Sequence, residues 1–185
     1  MAQCLVNRGV ASKAEVSEFL NPRLKLLADP FLIPNMDAAV ERLWKAREDN
    51  ERLLIYGDYD VDGVSSTALL AEMLTELGWT VQPYLPSRFD GGYGLSAGAL
   101  EKCLEEFDVD IVIAVDCGST AVEAIEFLNS KKIDVLVLDH HQVSVPPPEP
   151  LAMVNPQISS DYPNFQELCS VGLAFKLAHA LVKRG

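Results

Sequence analysis

Two unbroken apolar runs, Ile111–Val115 and Val135–Leu138, constrain this chain more than any other feature in it. A strand of four or five residues with no polar alternation must be covered on both faces, as in a parallel sheet flanked by helices. Leu53–Tyr56, Thr80–Leu85 and Leu151–Val154 read as further strands. Between them lie amphipathic stretches of helical period. Ser66–Leu77 carries Leu70, Met73, Leu74 and Leu77 on one face and ends at Gly78. Ala97–Phe107 follows, then a helix capped by Thr120 with Glu123 and running to about Asn129, then Ser170–Val182 with Val171, Phe175, Ala178 and Val182 in register. This alternation predicts an α/β fold, a doubly wound, mainly parallel sheet with right-handed crossovers and helices on both faces.

The fold is preceded by a short helical segment, residues 1–50, so that the α/β domain is expected over 51–185. Ser12 and Glu15 form a capping-box pattern ahead of Val16, Phe19 and Leu20, and Asn21-Pro22 ends that helix. Met36–Glu48 resumes helical spacing, with Met36, Val40, Leu43 and Trp44 on one stripe. The run from Val145 to Pro150 is proline-rich and reads as a surface connection.

The chain has 27 acidic and 15 basic residues, a formal net charge of −12 over 185 residues. That argues against a general nucleic-acid coat, which rests on clustered Lys and Arg, but not against local or cation-assisted binding. Cys4, Cys103, Cys117 and Cys169 include no CxxC pair, so no zinc ribbon or thioredoxin motif is expected and a reduced compartment is the simplest setting. With neither a secretory signal nor an apolar run of membrane-spanning length, the expected location is the cytoplasm, away from membranes.

Three elements carry chemistry. Gly57-Asp58-Tyr59-Asp60-Val61-Asp62-Gly63 follows the first strand, and if the segment is extended its alternate carboxylates project from one side. Alone, the run is equally a solvated turn capping the next helix. It is not a calcium EF-hand, because the twelfth position from Asp58 is Leu69 rather than Glu. Asp116, in Val115-Asp116-Cys117-Gly118-Ser119, stands just past the apolar run Ile111–Val115, and alone it is as readily a helix cap. Asp139-His140-His141 stands just past the run Val135–Leu138, where a histidine pair can also be structural; His179, within the last helix, reads as surface or structural. In an open parallel sheet the carboxyl ends of the strands share one edge, where ligands bind. Asp58, Asp60, Asp116, Asp139, His140 and His141 are therefore expected in one crevice. A hard oxygen and imidazole donor set suits Mn²⁺, with Mg²⁺ or Zn²⁺ possible, and a carboxylate pocket able to hold two such ions is suited to hydrolysing phosphate esters.

These motifs resemble those of the DHH phosphoesterases, whose signature is Asp139-His140-His141. The Ser87–Leu95 run, SRFDGGYGL, the FLNP stretch at 19–22, the DPF stretch at 29–31, Met153-Val154-Asn155-Pro156 and SVGLAFKL at 170–177 are similar to the RecJ branch of that family. The resemblance implies a Mn²⁺-dependent exonuclease that digests single-stranded DNA in the 5′→3′ direction, in recombination and repair, with helicase or single-strand-binding protein as partners. It implies Asp58, Asp60, Asp116 and His140 as metal ligands, His141 as the residue that meets the scissile phosphate, and Asp62 and Asp139 in support. Arg88 is the expected phosphate contact, since its planar fork matches phosphate oxygens. Tyr93 is positioned to stack on a base or to pack, and Gly94, with Gly91 and Gly92, would let the backbone pass close to a ligand. The family's fourth metal-binding aspartate and its second, substrate-gripping domain are not in these 185 residues, so the chain is expected to be part of a longer protein and weak in isolation. Two other outcomes stay open: a DHH hydrolase of short oligonucleotides, cyclic dinucleotides or pyrophosphate, and a non-catalytic DHH-like scaffold.

Overall fold

A computed structural model describes residues 2–87, 94–161 and 165–185. Five strands form one sheet: β1 (Arg52–Gly57), β2 (Thr80–Tyr84), β3 (Ile111–Val115), β4 (Asp134–Leu138) and β5 (Ala152–Val154). Their spatial order is β2-β1-β3-β4-β5, and every neighbouring pair is parallel. Among the described residues seven α-helices accompany them: α1 (Ala2–Val6), α2 (Lys13–Leu20), α3 (Met36–Glu48), α4 (Val61–Glu76), α5 (Ala97–Glu106), α6 (Val122–Ser130) and α7 (Ser170–Arg184).

The apolar runs behave as expected of strands covered twice. Leu53, Ile55, Ile111, Ile113, Val115, Leu136 and Leu138 face one core, with α3, α4 and α7. The alternate residues Leu54, Tyr56, Val112, Ala114, Val135 and Val137 face a second core, with α5 and α6. Both sets are fully buried, which is why these strands show no polar alternation. Of the segment before residue 51, α3 belongs to the first core through Met36, Ala39, Val40, Leu43 and Ala46.

Four details differ from the sequence expectation. Helix α4 begins at Val61, five residues before the predicted Ser66, because Asp60 takes the N-cap and accepts the amides of Asp62 and Gly63 at 2.9 and 3.0 Å. Helix α6 begins at Val122 without the Thr120–Glu123 cap: Gly118, at φ +108°, turns the chain so that Ala121 is already the cap residue. In α7 the buried stripe is Leu173, Ala174, Leu177, Ala180 and Leu181, while Phe175 and Val182 are exposed. That helix has two apolar stripes, and periodicity alone does not say which one packs. Finally, α2 forms with its reciprocal Ser12–Glu15 capping box but buries none of its residues, so Phe19 and Leu20 face outward. Its capping box fixes where the helix begins.

Among the described residues, no helix is long and apolar enough to cross a membrane.

Candidate metal centre

Strand register builds the site. Gly57 stands opposite Val115, Val115 opposite Leu138, and Leu138 opposite Val154. The next residue on each strand, Asp58, Asp116, Asp139 and Asn155, therefore falls in one row along the carboxyl edge. The row is held at that level by further ladder bonds, Asp116 N–H to Leu138 O at 3.0 Å and Asp139 N–H to Val154 O at 3.3 Å. The strand order reverses between β1 and β3, the position at which open α/β sheets form a ligand crevice.

All four residues of the row are buried, Asp58 and Asn155 completely. Asp58 accepts the Tyr59 amide at 2.7 Å through Oδ1, while its Oδ2 is buried with no hydrogen-bond partner. Gly63 permits this crowding, because a Cβ there would lie 2.4 Å from the Asp58 carbonyl oxygen. Asp116 adopts φ +61°, the left-handed region that Asp tolerates better than most residues. Its Oδ1 accepts the Ser170 hydroxyl at 2.8 Å, and its Oδ2 is again buried without a partner. Burial above all pushes the Asp116 pKa up to about 7; the Ser170 hydroxyl opposes this, and the Asp62 and Asp60 carboxylates add to it. The Asp60 pKa is held low, first by the Gly63 amide, with the Asp62 amide adding to it.

Asp139 is spent on its neighbours. Its Oδ2 accepts the Ser119 amide at 3.0 Å, and its Oδ1 accepts the His140 amide at 2.8 Å and lies 2.7 Å from His141 Nδ1. Burial works against its charge, but the bonds from Ser119 and His141 outweigh burial and keep its pKa low. For His141 burial again opposes the charge and Asp139 overrides it, so the imidazole pKa is raised. The pairing leaves His141 Nε2 as the free ring nitrogen, the positioning of imidazole by carboxylate seen in metal and hydrolytic sites.

His140 Nε2 lies 3.5 Å from Asp116 Oδ1 and 3.7 Å from Asp62 Oδ2. One donor atom each from Asp116, His140 and His141 falls within a 4.8 Å span. Asp116 beside two imidazoles, with orphaned oxygens on it and on Asp58 in the same row, fits a divalent cation: buried like charges need a counter-charge, and none of the described lysines or arginines pairs with them. An adjoining cavity of about 340 Å³ is lined by Gly94, Asp116, Thr120, Asp139 and His141 among others. Gly94 itself has φ +78°, and its carbonyl accepts the Tyr56 hydroxyl at 3.2 Å.

The expected residues thus gather, but Asp60 and Asp62 do so by another route than an extended segment. Asp60 caps α4, and Asp62 lies in its first turn. Both Asp62 oxygens accept amides of α7, from Ser170 and Val171 at 2.8 Å each. Arg88 and Tyr93 lie outside the described residues. Sequence reasoning gave no role to Ser119, Asn155 and Ser170. Asn155 donates from Nδ2 to Ser119 Oγ at 2.8 Å and to the His141 carbonyl at 2.9 Å, closing a polar ring around Asp139. The signal was present, since all three sit in runs singled out above.

Comparison with known proteins shows what the chain is similar to. The chain is 38% identical over 183 residues to the single-stranded-DNA-specific exonuclease RecJ of Bacillus subtilis, covering 98% of this chain and 23% of that protein. It is 34% identical over 167 residues to RecJ of Thermus thermophilus, covering 90% of this chain and 24% of the relative. The chain therefore spans about a quarter of the length of these relatives. A crystal structure of exonuclease RecJ bound to manganese superposes with TM-score 0.75 at 33% identity, over 82% of this chain and 38% of that one. The Thermus thermophilus RecJ complex with Mn²⁺ superposes with TM-score 0.76 at 30% identity, over 97% and 24%. Residues 52–185 match the N-terminal domain of the DHH family, and with the edge row that carries the family's signature, the chain belongs to the DHH family.

Proposed function

We propose that this chain supplies the metal-binding part of a RecJ-type exonuclease, which removes nucleotides from single-stranded DNA in the 5′→3′ direction. The observation that carries this reading is the cluster of Asp116, His140 and His141, together with the buried, unpartnered oxygens Asp116 Oδ2 and, on the neighbouring strand end, Asp58 Oδ2. RecJ relatives at 38% and 34% identity support the substrate class. In this reading Asp58, Asp60, Asp116 and His140 hold Mn²⁺, with Mg²⁺ as the other candidate. The bound cation would lower the pKa of a water and draw charge from the phosphate oxygens.

The chain's own residues do the rest. Asp139 holds the His141 ring by Nδ1, so that Nε2 faces the phosphate as a donor. The raised His141 pKa suits that role: with Nδ1–H given to Asp139, Nε2 donates when the ring is protonated, and the imidazolium stabilises charge building on a phosphate oxygen. Asp62 fixes α4 against α7. Arg88, Tyr93 and Gly94 belong to the substrate path, as phosphate contact, base platform and close-approach backbone. A net charge of −12 leaves little general attraction for DNA, so grip on the strand falls to local contacts and the cations.

The test is a chimera in which residues 1–185 replace the matching segment of Bacillus subtilis RecJ. With Mn²⁺ it is expected to release nucleotides from the 5′ end of labelled single-stranded DNA, to spare duplex DNA, and to lose turnover by at least about 100-fold with His141→Ala. Faster hydrolysis of dinucleotides or pyrophosphate than of long strands would overturn the substrate assignment.

A further inference from the structure

Helix α7 begins inside the metal centre, and its first residue is fully buried there. The usual capping residue does not serve it: Cys169 makes no side-chain cap. Asp62 caps the helix instead, across 108 residues of sequence, by accepting the Ser170 and Val171 amides at 2.8 Å each. The positive end of a 15-residue helix is thus already spent on a carboxylate and is not open to a substrate phosphate. With its amide committed to Asp62, Ser170 has its hydroxyl left, and that hydroxyl donates to Asp116 Oδ1 at 2.8 Å.

This bond does something to Asp116 that burial does not. A carboxylate with two free oxygens can rotate and present either one. With Oδ1 held by Ser170 and lying 3.5 Å from His140 Nε2, the carboxylate is fixed in one orientation, and Oδ2 is the oxygen left without a partner. We propose that Ser170 is a positioning residue of the metal centre, whose hydroxyl fixes Asp116 so that Oδ2 is presented to the cation. The proposal rests on the reading above that Asp116 is a ligand. It gives the SVGLAFKL run a task in the site as well as in the core. Groups that orient metal ligands typically contribute 10–100-fold to affinity.

The competing account is that Ser170 only satisfies a buried hydroxyl. Ser66 provides the matched control: it is also fully buried, and its hydroxyl donates at 2.6 Å to the Asp62 backbone carbonyl rather than to a candidate ligand side chain. Mn²⁺ binding is measured by calorimetry on the 185-residue chain and on Ser170→Ala, Ser170→Cys, Ser66→Ala and Asp116→Ala, with melting curves taken alongside. Asp116→Ala is expected to lose the site. Ser170→Ala and Ser170→Cys are both expected to bind about tenfold more weakly, although cysteine fills the volume that alanine vacates. Ser66→Ala is expected to melt earlier yet bind as the unchanged chain does. If the Ser170 variants titrate like the unchanged chain while Asp116→Ala does not, the positioning role is overturned and the metal reading stands. If Asp116→Ala also binds unchanged, both are overturned.

Discussion

The two edges of the sheet carry similar numbers of acids and treat them in opposite ways. At the amino edge, Asp134 and Glu51 both pair with Arg42 at 2.6 Å, and Asp108 and Asp110 both pair with Arg52. At the carboxyl edge, Asp58, Asp60, Asp116 and Asp139 are drawn together with only histidines as possible cations among the described residues. A fold seeking stability alone would neutralise such charges or leave them in water. The carboxyl edge does neither, and two of its oxygens have no partner at all. One edge is finished by the protein, and we propose that the other is finished by a cation.

That contrast can be broken or sharpened by substitution, in descending order of effect. Gly63→Ala should be the most damaging change at the carboxyl edge. Its Cβ would meet Asp58 backbone atoms at 2.4 and 2.6 Å, forcing α4 off β1, and a loss of about 3 kcal/mol or more in urea melts is expected. At the amino edge Arg42→Ala should cost about 2 kcal/mol, because it strands Asp134 and the partly buried Glu51. Asp116→Asn should have the opposite sign in metal-free solution, raising Tm at pH 8 by about 2–4 °C, since it removes a carboxylate whose charge the fold disfavours. Arg52→Ala, on a more exposed pair, should shift Tm least of the four.

The pH dependence sharpens the same point. The folded Asp116 pKa of about 7 lies above the ordinary carboxylate value. Between those values the folded state binds more protons than the unfolded one, so the Asp116 contribution falls as pH rises from about 4 to 7. Asp139 runs the other way: its pKa is lowered, so its contribution is present at neutral pH and is lost on acidification. Metal-free melts should therefore lose part of their acid-side fall, below about pH 4, in Asp139→Asn, and flatten between about pH 4 and 7 in Asp116→Asn.

Much of this was legible in the sequence. The doubly covered strands announced themselves as apolar runs, and the acids immediately after them could be placed at one edge from the rule for parallel sheets. What could not be read was how Asp62 would be used. Its spacing from Asp58 and Asp60 fits an extended segment, but Asp60 starts a helix there and turns Asp62 toward α7, a partner 108 residues away. Which stripe of α7 is buried is likewise settled by distant partners, the first core into which Leu173, Ala174, Leu177, Ala180 and Leu181 pack. Ser170, Ser119 and Asn155 were hidden for a related reason: single small polar residues carry no period, and their importance lies in whom they meet.

The central claim is that the carboxyl edge is completed by a divalent cation. Titrating Mn²⁺ into the 185-residue chain, beside Asp116→Ala and His140→Ala, tests it most directly. Saturable binding that both substitutions weaken by at least about tenfold is the expected result. Equal binding in all three proteins would put the ion elsewhere and contradict the account.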